Sequence, residues 1–225
     1  MSETTLTRDD AGADEPDESA PHSDFVEAVE AEIGVGGHAA TSTGMSNNKL
    51  AMWVFLGTEC LLFGGLISTY LLYKDRAVTG PKASSLYDIP FTSVSSFILL
   101  MSSLTMVLSL SALRRGDVRR NRIWLVTTAL LGSTFLAGQI YEFTAFVNEG
   151  LGYTTNISAS AFYTLTGFHG AHVTVGILML LSLATLSVKG QLGPERGETV
   201  EIVGLYWHFV DVVWIVIFTV VYLIP

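Results

Sequence analysis

Residues 159–188 read ASAFYTLTGFHGAHVTVGILMLLSLATLSV, a run without any Asp, Glu, Lys or Arg. An α-helix rises about 1.5 Å per residue, and about 20 apolar residues are enough to cross the hydrocarbon core of a bilayer. Gly, Ser and Thr among Leu and Val are typical of membrane helices, and the run lacks the period-two alternation of barrel strands. The stretch therefore predicts a membrane-spanning helix that contains two histidines.

Four further apolar runs match this one in composition. They cover residues 49–73, 91–113, 123–147 and 202–224, with charged residues between them. The 225 residues are 49% hydrophobic and 15% charged, with a mean hydropathy of +0.46, and these values exclude an ordinary soluble domain. The sequence therefore predicts an all-α integral membrane bundle of five transmembrane helices, which occupies residues 49–225.

The first 48 residues differ from the rest of the chain. They hold eleven of the 21 acidic residues and only one basic residue, Arg8, so the net charge of −9 arises in them. A segment this acidic and this poor in apolar residues does not bury enough surface to fold alone. We therefore expect residues 1–48 to form an acidic, largely disordered tail.

The distribution of arginines predicts the orientation of the helices. The loop between the second and third runs contains five: Arg114, Arg115, Arg119, Arg120 and Arg122. The loop at 148–158 contains no basic residue. Because loops rich in Lys and Arg stay on the cytoplasmic side, we expect a multi-pass protein with a cytoplasmic tail and N-terminus and with its C-terminus outside.

Two features of the composition exclude particular functions. The arginine cluster lies between apolar runs, which suits a topology determinant and does not indicate a nucleic-acid partner. Cys60 is the single cysteine, so the chain has no intrachain disulfide and cannot supply the ligands of an iron–sulfur cluster or a cysteine zinc site. Any metal would have to be held by His and carboxylate ligands.

Six ionisable residues lie inside the apolar runs: Glu59, Glu142, His169, His172, His208 and Asp211. A charge near the bilayer centre costs several kcal/mol, so each of them needs a partner or a function. The helical rise places Glu59 and Asp211 roughly 15 Å from the inner ends of their helices, near mid-membrane, and His172 midway along its own. His208 lies about one turn from Asp211. Glu142 lies near the outer end of its helix, where we expect lipid headgroups.

Three hypotheses account for these residues. In the first, they bond to one another across helices and fix the register of the bundle. In the second, His169 and His172, which share one helix face, and His208 ligate a haem, as in the b-type cytochrome anchor of a respiratory enzyme. In the third, Glu59 holds or passes a proton, and a proton-coupled transporter is one form of this hypothesis.

Small residues at a spacing of four predict where helices pack closely. Gly64 with Ser68, and Gly167 with Ala171, follow the small-xxx-small spacing, and Gly170 adds to the second set. Helix backbones approach each other where bulky side chains are missing. We therefore expect close helix contacts at these five positions rather than a ligand cradle.

Four motifs resemble those of subunit III of the haem-copper terminal oxidases, the cytochrome c and quinol oxidases of aerobic respiration. They are FYTLTGFHGAHVTVG at 162–176, LYWHFVDVVW at 205–214, TECLLF at 58–63 and QIYEF at 139–143. The resemblance covers residues 49–225 in order and leaves out the acidic tail. With five predicted helices the chain resembles the shorter of the family's two forms, and Thr58 stands where serine is usual.

The resemblance implies a non-catalytic subunit that carries no haem or copper of its own. The redox centres of the proton-pumping complex are implied to lie in its partners, with subunit I in direct contact and subunit II in the same complex. The family's known roles imply that the chain supports proton uptake, stabilises subunit I and binds phospholipid. They also imply the plasma membrane of a bacterium or archaeon.

The motifs also imply roles for individual residues. Glu59 matches the family's intramembrane carboxyl, His169 and His172 the histidines of TGFHGxHV, His208 and Asp211 the pair in HFVDxxW, and Glu142 the glutamate of a further motif. From the depth of the residues, we expect Glu59 to pair with His172 or His208 and to hold the first, fourth and fifth helices together. The motifs leave open whether cytochrome c or quinol is the electron donor.

Overall fold

A computed structural model describes residues 46–76 and 87–224, and within these ranges the chain folds into five α-helices. We number them α1 (Asn47–Tyr73), α2 (Ile89–Arg114), α3 (Val118–Asn148), α4 (Ile157–Val188) and α5 (Gly197–Phe218). A 3₁₀ turn, Pro194–Arg196, precedes α5, and a π-helical turn, Thr219–Leu223, follows it. Five segments of the described ranges are long and apolar enough to span a membrane, which confirms the predicted fold class. Most of the tail predicted at 1–48 lies outside the described residues.

All five helices begin earlier than the apolar runs predict, and two of them by five residues. α3 begins at Val118 instead of residue 123, and α5 begins at Gly197 instead of residue 202. The helices continue into polar turns that an apolar run does not include. Side-chain caps mark three of the helix starts, because Asp88, Asp117 and Asn156 each accept a hydrogen bond from a backbone N–H of the first turn.

Helices α2 to α5 form a four-helix bundle, and α1 lies on its outside. Around the bundle, α2 packs on α3, α3 on α4, α4 on α5, and α5 again on α2, whereas α1 packs on α4 and α5. In the most apolar part of each span, 33–44% of the residues of α2–α5 are buried, against 11% in α1. The buried residues of α1 are Leu56, Phe63 and Tyr70, which recur every seven residues along one line of contact.

A buried tryptophan holds α5 at the centre of the bundle. The ring of Trp207 is fully buried and lies against Gly132 of α3 and Gly176 of α4. A Cβ atom at Gly132 would lie 2.5 Å from a ring carbon, and one at Gly176 would lie 2.7 Å from another, both inside van der Waals contact. The indole N–H donates to Ser102 Oγ of α2 at 2.9 Å, so this side chain joins four helices.

The small residues predicted to pack the helices have different surroundings. Gly170 faces α3, where a Cβ atom would lie 2.9 Å from Gln139 Oε1. Three of the five are exposed in the described part of the chain: Gly64, Ser68 and Ala171. A Cβ atom at Gly64 or Gly167 would meet no described atom within 4 Å. Close packing at Gly64 and Gly167 therefore does not involve the described residues, and it stays a prediction for contacts beyond them. The spacing defines a smooth helix face but not the direction in which it points.

Charged side chains join the helices at one end of the bundle. Glu201, near the start of α5, accepts hydrogen bonds from Lys49 of α1 and, at 3.0 Å, from Arg114 of α2. Arg122 of α3 donates to the backbone oxygen of Ser187 at the end of α4, at 2.7 Å. This end carries the arginine cluster, and it is therefore the end that the sequence predicts to face the cytoplasm.

Candidate functional site

The ionisable residues of the spans fall into four places rather than one network. Glu59 meets His172 where α1 contacts the bundle, His169 lies in the bundle core, His208 and Asp211 lie on α5 near α2, and Glu142 lies between α3 and α2. His169 and His172 both lie on α4, but their side chains contact different neighbours. The structure thus separates residues that could, from the sequence, have formed one network.

Glu59 and His172 form a hydrogen-bonded pair. His172 Nε2 lies 3.1 Å from Glu59 Oε2, and the side chains are 16% and 14% exposed. His172 Nδ1 lies 2.7 Å from the backbone oxygen of Phe168. Because a carbonyl oxygen only accepts hydrogen bonds, Nδ1 has to carry a hydrogen, and a second hydrogen lies between Nε2 and the glutamate. Of the two partners predicted for Glu59, the structure places His172 beside it.

The pair therefore shares one proton between two atoms. With the proton on Glu59 both side chains are neutral, and with the proton on His172 they form an ion pair, so the net charge is zero in either case. Removal of the proton would leave one uncompensated negative charge, and a second proton would leave one positive charge. Either charge is costly within a membrane. The geometry suits a site that keeps one proton until a neighbouring charge changes.

Three helices meet at this pair. Phe63 of α1 packs on the His172 ring with 5.0 Å between the ring centroids, and the Tyr206 hydroxyl of α5 donates to the backbone oxygen of His172 at 3.1 Å. The sequence reasoning missed both residues. Phe63 follows Glu59 by four residues and so shares its helix face, which is a usable signal. Nothing in the sequence alone indicates the role of Tyr206.

His169 lies in the core and not beside His172. Its side chain is fully buried, its ring stacks on Trp214 at 4.8 Å, and Phe135 meets it edge-on at 5.9 Å. Neither ring nitrogen has a hydrogen-bond partner among the described residues. The two histidines are three residues apart on α4, but His169 points toward α5 whereas His172 points toward α1.

His208 and Asp211 adjoin a serine of α2. Ser103 Oγ lies 2.5 Å from His208 Nδ1. Asp211 is 3% exposed, and among the described residues neither carboxyl oxygen has a partner in hydrogen-bonding geometry, although Ser103 lies beside it. An ionised carboxylate without a partner at this depth is costly, so the neutral acid is the favoured form. The sequence reasoning missed Ser103.

Glu142 lies six residues before the end of α3, and its side chain points into the bundle. It is 6% exposed and accepts a hydrogen bond from the hydroxyl of Thr92 on α2. Gln139, one turn earlier on α3, donates to the backbone oxygen of Thr166 on α4 at 2.7 Å. Depth along the span did not reveal that this face of α3 points into the bundle. The QIYEF motif therefore joins α3 to both of its neighbours.

The histidines do not converge on one point. His169 stacks on α5, His172 bonds to α1, and His208 bonds to α2. Across residues 46–76 and 87–224, no three His, Cys, Asp or Glu side chains are grouped as metal ligands. A bis-histidine haem needs two imidazoles that face each other with free nitrogens. The described geometry does not favour the haem hypothesis.

A protein-family model described as cytochrome c oxidase subunit III matches residues 24–224 of this sequence. The matched range contains all five helices and all four motifs. It begins within the acidic segment, so it extends further toward the N-terminus than the resemblance drawn from the motifs.

Three relatives illustrate the range of similar proteins. Cytochrome c oxidase subunit 3 of Bacillus sp. (strain PS3) is 44% identical over 177 residues, which cover 79% of this chain and 86% of the relative. Quinol oxidase subunit 3 of Bacillus subtilis (strain 168) is 39% identical over 176 residues, with 78% and 86% covered. Cytochrome bo(3) ubiquinol oxidase subunit 3 of Pseudomonas aeruginosa is 36% identical over 187 residues, with 83% and 88% covered.

Proposed function

The chain belongs to the cytochrome c oxidase subunit III family, and on that premise we propose that it is the non-catalytic subunit III of a proton-pumping haem-copper oxidase. In this proposal subunit I contacts the chain directly, subunit II belongs to the same complex, and these partners carry the haems and copper that reduce oxygen to water. Membership of this family argues against the cytochrome anchor hypothesis and the transporter hypothesis.

The Glu59–His172 pair carries the proposal for proton supply. Its geometry allows the two side chains to share one proton without a net charge, and it lies where α1 contacts the bundle, with each side chain slightly exposed. A charge that arises in subunit I during turnover changes the balance between the two proton positions. The pair then acts as a local reserve that supports proton uptake by subunit I.

The orientation and the lipid contacts are part of the same proposal. The arginine cluster supports a cytoplasmic N-terminus and an outside C-terminus in a bacterial plasma membrane. An apolar groove of about 300 Å³ passes His172 between α1, α4 and α5 and is lined by Phe55, Val175, Met179 and Tyr206. A phospholipid acyl chain fits this chemistry, and we place lipid there next to the pair.

Turnover of the purified oxidase tests the proton role. Glu59→Gln keeps the shape of the side chain but removes the proton that the carboxyl shares with His172. We expect a near-normal initial rate of oxygen consumption, slower proton uptake at alkaline pH, and severalfold fewer turnovers before activity is lost. Proton uptake is followed with a pH dye during turnover in vesicles.

Glu149→Gln is the matched control, because Glu149 is an exposed carboxyl at the end of α3. It should behave as the wild type does. An oxidase depleted of this chain should show the Glu59→Gln defect in stronger form. If the depleted complex keeps the wild-type rate, lifetime and proton uptake, the proposed support function is wrong.

A further inference from the structure

A groove of about 250 Å³ leads from the charged end of the bundle toward the membrane interior between α2 and α5. Its α5 wall consists of Glu201, Gly204, Leu205 and His208, which follow one helix face at i, i+3, i+4 and i+7. The helical rise puts His208 about 10 Å deeper than Glu201. The groove therefore connects the charged end of the bundle with an intramembrane histidine.

The α2 wall of the groove leads to the same place. It begins at Arg114, which pairs with Glu201 at the mouth, and continues inward through Leu110, Val107 and Met106. Ser103 is the next residue inward on this face, three residues beyond Met106, and its hydroxyl bonds to His208. Gly204 leaves room for the Met106 side chain in this wall, because a Cβ atom there would lie 3.2 Å from the end of that side chain.

Asp211 lies one turn beyond the inner end of the groove. It is 3% exposed, it has no hydrogen-bond partner among the described residues, and Ser103 is beside it. A buried neutral carboxyl holds a proton that it can give up only where a path to water exists. Ser103 and His208 are the polar groups between Asp211 and the groove.

We propose that the α2–α5 groove is a water inlet and that Asp211 exchanges its proton with it through Ser103 and His208. A small rotation brings the Asp211 and Ser103 side chains into contact. The Asp211 proton passes to Ser103 Oγ while the Ser103 hydrogen passes to His208 Nδ1, and His208 releases its Nε2 proton to a water molecule in the groove. Asp211 is then a carboxylate, Ser103 and His208 are neutral, and the water has become hydronium.

In the reverse transfer the hydronium protonates His208 Nε2, the Nδ1 hydrogen returns to Ser103, and the Ser103 hydrogen returns to Asp211, which restores the acid and the starting tautomer of His208. Other ionisable groups lie at the mouth of the groove and on the helices around α5. The mouth carries Glu201, Arg114 and Lys49, and on the helices that pack on α5 the spans add His169 and His172 of α4 and Glu59 of α1. The described structure shows none of these in a hydrogen bond to Asp211.

Cysteine accessibility in membranes that contain the assembled complex tests the inlet. Cys60 is exposed and would itself react, so the experiment starts from a Cys60→Ser variant. Leu205→Cys then places a thiol in the groove, and Val126→Cys places one equally far from the start of α3 on an exposed apolar face. A charged, water-soluble thiosulfonate reacts with the thiolate, so the groove position should react about tenfold faster. Equal rates would mean that lipid or a partner helix fills the groove, and would overturn the proposal.

Infrared spectroscopy of the same complex tests the proton on Asp211. Asp211→Asn should remove one protonated-carboxyl band, and in the wild type that band should shift promptly in D₂O. Ser103→Ala should keep the band but slow its shift about tenfold, as loss of a proton relay does. Ser93→Ala is the control, since that hydroxyl bonds only within the start of its own helix in the described structure.

Two results would overturn this part of the proposal. If Asp211→Asn removes no protonated-carboxyl band, Asp211 is ionised and holds no proton. If Ser103→Ala leaves the exchange rate unchanged, the relay does not pass through Ser103. Neither measurement requires turnover, so their failure is distinct from a failure of the proposed oxidase function.

Discussion

The spans that contain helices α1 and α5 have equal mean hydropathy, but the bundle holds the two helices in different ways. In the apolar part of the span, 44% of the residues of α5 are buried and 11% of those of α1. α5 inserts Trp207 among three other helices, whereas α1 touches the bundle along one apolar line and bonds through Lys49, Glu59 and the backbone oxygen of Lys74. Hydropathy therefore favours insertion of a helix into the membrane, while the shapes of individual side chains determine how firmly the bundle holds it.

The largest expected effect follows from removal of the tryptophan of α5. Trp207→Ala leaves a cavity among four helices and a buried Ser102 hydroxyl without its donor, and should lower the free energy of unfolding by about 3–5 kcal/mol. Trp53→Ala on α1 is the control, because that ring is 51% exposed. It should change stability by less than about 0.5 kcal/mol. Unfolding of the full chain in bicelles measures both, and equal losses would remove the distinction between the helices.

The next effect compares glycines of the two regions. Gly132→Ala places a methyl group against the Trp207 ring and should cost about 1–3 kcal/mol through overpacking. Gly64→Ala on α1 meets no described atom within 4 Å. We expect it to leave the same free energy of unfolding unchanged or slightly raised, because alanine favours helix. A large loss at Gly64 in the isolated chain would contradict the described surroundings of α1.

A double-mutant cycle measures the polar attachment of α1. Glu59→Ala and His172→Ala should couple by about 0.6 kcal/mol, the average measured for hydrogen bonds between membrane helices, and by no more than about 1.7 kcal/mol. Glu59→Ala and His208→Ala should be additive, because His208 bonds to Ser103 instead. Coupling in the second cycle but not in the first would show that Glu59 bonds to the other histidine.

The smallest effect is expected at the charged end of the bundle. Glu201→Gln weakens the contacts of α5 with Lys49 and Arg114, whose side chains are 28% and 61% exposed. For ion pairs this accessible we expect a loss of about 0.2–1 kcal/mol that shrinks as salt is added. Thermal unfolding at low and high ionic strength measures it, and a loss independent of salt would indicate packing rather than charge.

The number, type and approximate ends of the helices follow from the amino-acid sequence alone. A chain in lipid has to satisfy its backbone polar groups within each segment, so long apolar runs can only become helices. Local chemistry set several starts, because Asp88, Asp117 and Asn156 cap helices through contacts with residues three positions away. Such features depend on near neighbours in the chain.

Which side chains meet depends instead on how the helices pack. The sequence predicts either His172 or His208 as the partner of Glu59, and the structure places His172 there. The sequence also predicts close packing at Gly64 and Gly167, whereas the closest approaches to Trp207 occur at Gly132 and Gly176. A helical spacing shows which residues share a face, but the rotation of that face about its axis depends on how all the helices pack together. The residues that define the candidate site are therefore present in the sequence, and their pairing follows from the assembled bundle.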